Sequence, residues 1–285
     1  MLRIICAVAS AQPECAPCHP SAVEQHTASN HARTLRPAAQ TPFARALPDR
    51  PIGEARGGFL LSYLLEGDHL RVRAARGAQS AEGRIEWVLG AGDQGLTPLV
   101  RFGADWLEHR ISYYPKQDRF DLTLGHLPGP SKSAKAALGV VQPEGTRNAC
   151  LGCHGGSPPG LSCRTCHANA SLHISENAHP GKPSPLCVEC HRLTGPDDAL
   201  AVRFQPLRLV KSKCFSTGKI VCANCHPAHR DAVRNNPAFY RAQCAACHST
   251  PHAREERDCL PCHMPKSTPA PYLTFTDHYI RVPGR

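Results

Sequence analysis

The chain has 285 residues, with 33 Lys and Arg against 23 Asp and Glu and a formal net charge of +10. Aromatic residues make up only 6%, and from residue 142 onward there are too few large apolar residues to build a protein core. The arginines are spread along the chain instead of clustered, which argues against a nucleic-acid-binding surface.

The first eleven residues have the features of a secretion signal. Arg3 supplies a basic start, a short apolar run follows, and Ala9-Ser10-Ala11 has the form of a cleavage site. Because the apolar run is at the short limit, the alternative is a short apolar segment with no targeting role. We predict a signal peptide over residues 1–11 and a periplasmic or otherwise exported protein. No later run reaches the roughly 18 apolar residues of a membrane span.

After this segment, the pattern Cys-x-x-Cys-His begins and occurs seven times. Its spacing lets two thiols bond the two vinyl groups of one porphyrin, and the next residue, His, then supplies the proximal nitrogen to iron. The pattern therefore predicts seven c-type haems. The attaching cysteines are Cys15, Cys18, Cys150, Cys153, Cys163, Cys166, Cys187, Cys190, Cys222, Cys225, Cys244, Cys247, Cys259 and Cys262. The proximal histidines are His19, His154, His167, His191, His226, His248 and His263.

Three other uses of Cys-x-x-Cys fit the pattern less well. Structural zinc sites combine two such pairs, and seven is an odd number. Thioredoxin-like redox motifs occur singly, and a disulfide framework does not require a His after the second Cys. Haem also accounts for the basic charge, since each bis-His ferric haem with its two propionates brings a net charge of about −1.

Residues 55–128 contain no cysteine and differ from the rest of the chain. Leu70, Val72 and Ala74 alternate with charged residues, which is the pattern of a strand buried on one face. The apolar runs are too short for a row of helices. This pattern predicts a small antiparallel β-sheet inserted between the first and second haem motifs.

Turn residues locate the connections within this sheet. Residues 66–68 predict one turn, and residues 103–105 predict a hairpin whose second strand is Trp106–Tyr114. His69 and His109 lie among charged residues, and we predict that both are at the surface.

The remaining sequence predicts short helices and loops around haems, with a longer helix within Asp231–Cys247. The expected fold class is α+β with much irregular structure. The predicted order is a signal peptide (1–11), a first haem segment (12–54), the β insertion (55–128) and a six-haem cytochrome domain (129–285).

Several segments match a pattern seen in other proteins, namely 15–19 with 29–31, 86–115, 124–126, 163–173, 212–229 and 259–282. They are distributed from residue 15 to residue 282, so the resemblance spans most of the chain. They are similar to a bacterial family of multihaem c-type cytochromes that is related to the tetrahaem cytochromes of nitrification. Members of this family are often fused to or found beside tetratricopeptide-repeat proteins. The tail is the most specific part, because Thr276-Asp277-His278-Tyr279-Ile280-Arg281 matches the family's "T-D-H-x-I-R".

Each iron also needs a sixth ligand or an open position. Ten histidines lie outside the motifs and seven irons need seven, so bis-His ligation throughout is arithmetically possible. The resemblance implies that His31, not His26, follows the first motif as a ligand, and that the tail contributes one through its "T-D-H". The candidate distal ligands are His31, His126, His173, His179, His229, His252 and His278.

Closely spaced, mostly bis-His haems predict an electron carrier between other redox proteins. The alternative is a multihaem oxidoreductase acting on a small nitrogen or sulfur compound at one haem with an open distal position. A third possibility is that the β insertion docks a partner or shields the first haem. Cys214 belongs to no motif. It is either a buried structural cysteine, or a redox-active thiol or unusual iron contact near the haem of Cys222 and Cys225.

Overall fold

The computed structural model describes residues 14–54, 57–145, 148, 160–167, 187, 191, 199–218, 220–248 and 258–282. The chain divides into an N-terminal unit, Met1–Ser162, and a C-terminal unit, Cys163–Arg285. The predicted signal peptide lies outside the described residues, as do Cys150, Cys153, His154, His173, His179, Cys190 and His252.

The fold is mixed α/β, with an antiparallel sheet and short helices. In the N-terminal unit the helices are α1 (Pro20–Ala28), α2 (Pro42–Ala46) and α3 (Ala134–Leu138). The strands are β1 (Leu35–Pro37), β2 (Ile52–Gly53), β3 (Leu60–Glu66), β4 (His69–Arg76), β5 (Gln79–Leu89), β6 (Thr97–Phe102), β7 (Asp105–His109), β8 (Ile111–Tyr114), β9 (Arg119–Leu122) and β10 (Gly139–Val141). Single 3-10 turns occupy His31–Arg33, Ala38–Gln40 and Pro115–Gln117.

The predicted antiparallel sheet is confirmed. Its strand order is β10-β7-β6-β5-β4-β3-β2, with β1 paired to β5, and both predicted turns connect neighbouring strands. The sheet also takes in β1 and β2, which precede residue 55, and β10, which follows residue 128. Strands β1 and β10 thus pair with strands that are distant from them in the sequence.

The core of this unit lies on one face of the sheet. Leu70, Val72 and Ala74 are fully buried, as their alternation with charged residues predicts. They belong to one cluster with Phe43 of α2 and Leu138 of α3, so both helices cover the apolar face. The N-terminal unit therefore has a conventional side-chain core.

The predicted strand Trp106–Tyr114 is interrupted at Arg110, which ends β7 and separates it from β8. Strand β7 stays in the main sheet, whereas β8 pairs only with β9 among the named strands. The side chain of Arg110 is buried and its Nε lies 2.6 Å from a carboxylate oxygen of Glu54. A buried cation needs such a partner, and the chain bends where Arg110 reaches it.

His109 is fully buried, so the prediction that it lies at the surface is wrong. Its Nδ1 donates to the carbonyl of Leu138 at 2.6 Å, and the Tyr63 hydroxyl donates to its Nε2 over 2.7 Å. Burial lowers the pKa of His109 to about 4, so the ring is neutral. With both nitrogens satisfied, His109 is a structural residue of the core.

This burial makes the stability of the N-terminal unit depend on pH. In the unfolded chain His109 binds a proton near its ordinary pKa of 6.5, whereas in the folded chain it binds one only near 4. Folding is therefore weakened as the pH falls from about 6.5 towards 4, by about 2 kcal/mol between pH 7 and pH 5. His109→Gln is expected to remove this part of the pH dependence.

Tryptophan fluorescence measures this effect, because the chain has 2 Trp and both, Trp87 and Trp106, lie in the sheet. Urea midpoints at pH 5 and pH 7 are compared between the wild type and the variant. His69→Gln is the control, since His69 is only partly buried on β4. Equal pH dependence in His109→Gln and the wild type would contradict the prediction.

In the C-terminal unit the described helices are α4 (Cys163–Cys166), α5 (Gln205–Leu209), α6 (Lys213–Ser216), α7 (Pro237–Ala245) and α8 (Leu260–His263), with 3-10 turns at Ala199–Arg203 and Cys222–Asn224. Strands β11 (Lys266–Ala270) and β12 (Leu273–Thr276) form a hairpin. The predicted helix within Asp231–Cys247 is confirmed as α7. It begins at Pro237 because Asn236 Oδ1 accepts from the backbone N–H of Phe239 at 3.0 Å.

Large apolar side chains are scarce in this unit. In its described part the buried apolar residues are Ala201, Val202, Pro206, Leu209 and Leu273. Within the residues described in either unit, no helix combines the length and the apolar character needed to cross a membrane.

Candidate haem-binding sites

The haem motifs share one local conformation wherever the structure describes them in full. In each, the His N–H donates to the carbonyl of the first Cys, four residues earlier, over 2.7 to 3.0 Å. This single helical turn places residues one, four and five of the motif on neighbouring positions of one face. The motifs with this turn are 15–19, 163–167, 222–226, 244–248 and 259–263.

No disulfide joins the motif cysteines that the structure describes. Burial raises the pKa of Cys166, Cys222 and Cys225, and it raises the pKa of Cys244 to about 11. A redox-active dithiol needs the opposite, a thiol whose pKa is lowered so that the thiolate forms. The surroundings of these thiols thus do not match a thioredoxin-like centre.

Thiols from different motifs lie beside each other in the C-terminal unit. The side chain of Cys187 is a hydrogen-bond partner of Cys222, and that of Cys244 is a partner of Cys259. Cys214, which belongs to no motif, is half-buried in α6. The fold therefore gathers the attachment points of successive motifs.

Two motif histidines face histidines from the predicted distal set. The ring of His226 faces that of His278, with centroids 6.0 Å apart and planes inclined at 32°. The ring of His167 faces that of His229 with almost the same geometry, 6.0 Å and 33°. In each pair one member follows a Cys-x-x-Cys and the other comes from a different segment.

This separation suits two ligands of one iron. An iron-bound imidazole nitrogen lies about 2 Å from the metal, so two imidazoles on opposite sides have centroids about 6 Å apart. Burial lowers the pKa of both His226 and His278, which favours the neutral form of the ring, the form that binds metals. The residues present thus fit a bis-His haem iron.

Backbone carbonyls select the nitrogen that is left to bind. Nδ1 of His278 lies 2.9 Å from the carbonyl of Thr276, and Nδ1 of His263 lies 2.8 Å from the carbonyl of Arg281. A carbonyl only accepts, so each Nδ1 carries the proton and each Nε2 keeps its lone pair. Such a hydrogen bond to the second nitrogen is what orients metal-bound histidines.

His126 is the buried histidine that the N-terminal core does not satisfy. Its side chain is 2% exposed, yet neither ring nitrogen has a hydrogen-bond partner, and the nearest acidic group is a Glu108 oxygen 3.4 Å from Nε2. His109 nearby has both nitrogens bonded. Because a buried polar group without a partner is costly, His126 fits a role as a ligand better than a role in packing.

The Arg110–Glu54 ion pair holds the loop that carries His126. Arg110 donates to the carbonyls of Leu127 and Gly129, at 3.0 and 2.5 Å, on the C-terminal side of this His. Burial disfavours the charged form of Glu54, but bonds from Ser131 and Phe59 and the charge of Arg110 together lower its pKa. The loop is therefore anchored by an ionised pair.

The other candidates lie nearer the surface. His19 precedes α1 and His31 begins a 3-10 turn, and both are exposed, as are His191 and His248. The carbonyl of His31 accepts from the N–H of Leu161 at 3.1 Å. Gly160 packs so closely on this turn that any larger residue would meet its backbone.

Some residues that hold the candidate ligands in place belong to no sequence motif. Arg208 donates twice to Asp277, at 2.9 and 2.8 Å, across 69 positions of sequence. In the sequence, Asp277 stands out only through its match to the family's "T-D-H", and Arg208 belongs to no motif. Glu54 and Arg110 are likewise distant in sequence and were found only in the fold.

No group of three or more His, Cys, Asp or Glu side chains within the described ranges is arranged to hold a metal ion. A haem iron takes four nitrogens from the porphyrin and needs only two from the protein, so opposed histidine pairs are the relevant arrangement. Comparison of the chain with protein-family models, curated proteins and solved structures finds no match.

Proposed function

We propose that this protein is a multihaem c-type cytochrome that carries seven haems and transfers electrons between other redox proteins. The observation that carries the proposal is the sevenfold Cys-x-x-Cys-His pattern, whose fully described copies adopt the same helical turn. The resemblance to the bacterial multihaem cytochromes agrees with it. Because c-type haem is attached outside the cytoplasm, the protein acts in the periplasm or another exported compartment.

Each part of the chain has a role in this proposal. The paired thiols would hold the porphyrin, and the adjacent His would be a ligand of its iron. His278 would be the second ligand at the haem of His226, and His229 the second ligand at the haem of His167, because these rings lie 6.0 Å apart in each pair. Haem, when bound, supplies an iron that takes up and releases one electron. The protein fixes the two ligands of each iron and limits the access of water, which tunes the reduction potential.

Two histidines on one iron favour a carrier over a catalyst. A substrate that binds iron needs an open or displaceable sixth position, and a second His occupies that position. At two motifs in the C-terminal unit, a His from a distant segment lies 6.0 Å from the motif His, which supports two histidine ligands for each of these irons. These haems therefore relay electrons to and from partner redox proteins.

The haem count tests the proposal directly. Protein produced with a cytochrome c maturation system is expected to carry seven haems, measured by the pyridine haemochrome assay and by intact mass. The double variant Cys222→Ser/Cys225→Ser is expected to carry six, because both thioether bonds of one haem are lost. Cys214→Ser is the matched control and keeps seven. A wild-type chain without covalent haem would refute the proposal.

A further inference from the structure

The segment 277–281 follows the β11–β12 hairpin. It lies close to two haem motifs, 222–226 and 259–263. At its start, Asp277 accepts two hydrogen bonds from the guanidinium of Arg208, at 2.9 and 2.8 Å. Both side chains are largely buried, at 18% exposed for Arg208 and 8% for Asp277. Two parallel hydrogen bonds between largely buried side chains fix both the separation and the relative orientation of Arg208 and Asp277.

Ser212 holds the same segment a few residues further along. Its hydroxyl is fully buried, donates to the carbonyl of His278 at 3.3 Å and accepts from the N–H of Ile280 at 2.8 Å. Arg208 lies in α5 and Ser212 is the residue just before α6, so two neighbouring short helices contact the segment at two points. The backbone on both sides of His278 is thereby immobilised.

The held segment serves two motifs at once. His278 projects from it to face His226, which follows the Cys222/Cys225 pair. Three residues later, the backbone of Arg281 exchanges two hydrogen bonds with His263: its carbonyl accepts from Nδ1 at 2.8 Å, and its N–H donates to the His263 carbonyl at 3.2 Å. The five-residue segment thus carries both His278, the candidate ligand of one haem, and Arg281, whose backbone holds the proximal His263 of another.

We infer that Arg208 and Asp277 form a positioning pair that couples the coordination of two haems, those of the 222–226 and 259–263 motifs. This inference rests on the proposed function. When the pair is intact, His278 is held on its iron and the His263 ring keeps its hydrogen bond to Arg281. When Arg208 is replaced, Asp277 loses its two paired donors and keeps the Arg281 guanidinium, 3.7 Å away, as a weaker charged partner. The carboxylate is largely buried, so the segment shifts to restore its contacts.

The two haems respond differently because the segment acts on them differently. Loss of His278 from the first iron removes an axial ligand, so that iron becomes high-spin. Loss of the Nδ1 hydrogen bond makes His263 a weaker donor, so the second haem stays low-spin but its reduction potential shifts. The other haems have no tie to this segment in the part of the chain that the structure describes.

The test compares Arg208→Gln and Asp277→Asn with the wild type, all in the haem-loaded full-length protein. Both variants are expected to keep seven haems by pyridine haemochrome. The ferric EPR spectrum is expected to gain a high-spin signal of up to one iron in seven, and a spectroelectrochemical titration to show two shifted components. Arg73→Gln, which neutralises an exposed cation of the β-sheet away from this segment, is the control and leaves both measurements unchanged.

The conservative variant Arg208→Lys separates positioning from simple loss of charge. It keeps the cation but not the paired donors, so we expect a smaller high-spin signal than in Arg208→Gln. If Arg208→Gln fails to accumulate, the EPR spectrum and the titration are measured on Arg208→Lys instead. If the variants match the wild type, or if only one haem or all seven change, the coupling is wrong while the haem count still supports the cytochrome. A wild type that carries no haem defeats the proposed function itself.

Discussion

Blocking haem attachment is expected to unfold the C-terminal unit while the sheet of the N-terminal unit survives. The difference follows from what each unit buries. The sheet has a continuous core that includes Phe43, Phe59 and Leu61, all fully buried. In the described part of the C-terminal unit, the buried apolar side chains are Ala201, Val202, Pro206, Leu209 and Leu273.

Magnitudes show how small this described core is. Full burial of a Val or Leu side chain stabilises a fold by about 1.5–3 kcal/mol. Only Val202, Leu209 and Leu273 are buried side chains of this kind in the described part of the C-terminal unit, whereas the core cluster of the sheet has many. The apolar porphyrin discs are the remaining source of buried surface, in the same way that structural metal ions stabilise other small folds.

Limited proteolysis followed by mass spectrometry measures this outcome. Chain produced without the maturation system is expected to be cut throughout residues 163–285 and to leave a protected fragment that spans the sheet. Fluorescence of Trp87 and Trp106 should still show a cooperative unfolding transition, since both lie in strands of the sheet. Haem-loaded protein, the control, is expected to resist cleavage in both units. A haem-free C-terminal unit that resists protease would contradict the argument.

The sheet was predictable from sequence because its signals are local. Alternation at Leu70, Val72 and Ala74 reflects a strand with one buried face, and the turns at 66–68 and 103–105 join neighbouring strands. Pairings between distant segments have no such signal. The sequence therefore did not predict that β1 pairs with β5 or that β10 pairs with β7.

His109 shows where reasoning from neighbouring residues fails. Charged residues flank it on both sides, but its partners Tyr63 and Leu138 lie 46 and 29 positions away. The break at Arg110 has the same origin, because the buried pair with Glu54 is a long-range contact. Sequence patterns report the period of an element and not the tertiary partner that satisfies a buried polar group.

The candidate sites divide in the same way. The Cys-x-x-Cys-His turn is local, so the pattern predicts both the attachment residues and the proximal ligand. Which distal His faces which motif depends on the tertiary fold, and the sequence left that pairing open. The opposition of His226 with His278, and of His167 with His229, comes from the structure alone. His173, His179 and His252 lie outside the described residues, so their pairing stays a prediction.

Replacement of His278 by Ala is expected to convert one low-spin haem in seven to high-spin, and His229→Ala is expected to do the same at a different haem. Each change removes one of two opposed imidazoles, and the side chain of Ala cannot bind iron. The ferric EPR spectrum measures the effect as a new high-spin signal. His69→Ala, at a partly buried His in the sheet, is the control and leaves every haem low-spin.

A combined variant identifies which haem each histidine serves. If His278 binds the iron held by the 222–226 motif, adding His278→Ala to Cys222→Ser/Cys225→Ser creates no high-spin signal, because that haem is already absent. Adding His229→Ala to the same background still creates one, since His229 faces His167. A high-spin signal that persists in the first combination would show that His278 serves another haem. The ring pair seen with His226 would then be a packing contact of aromatic rings, which also occur at such separations.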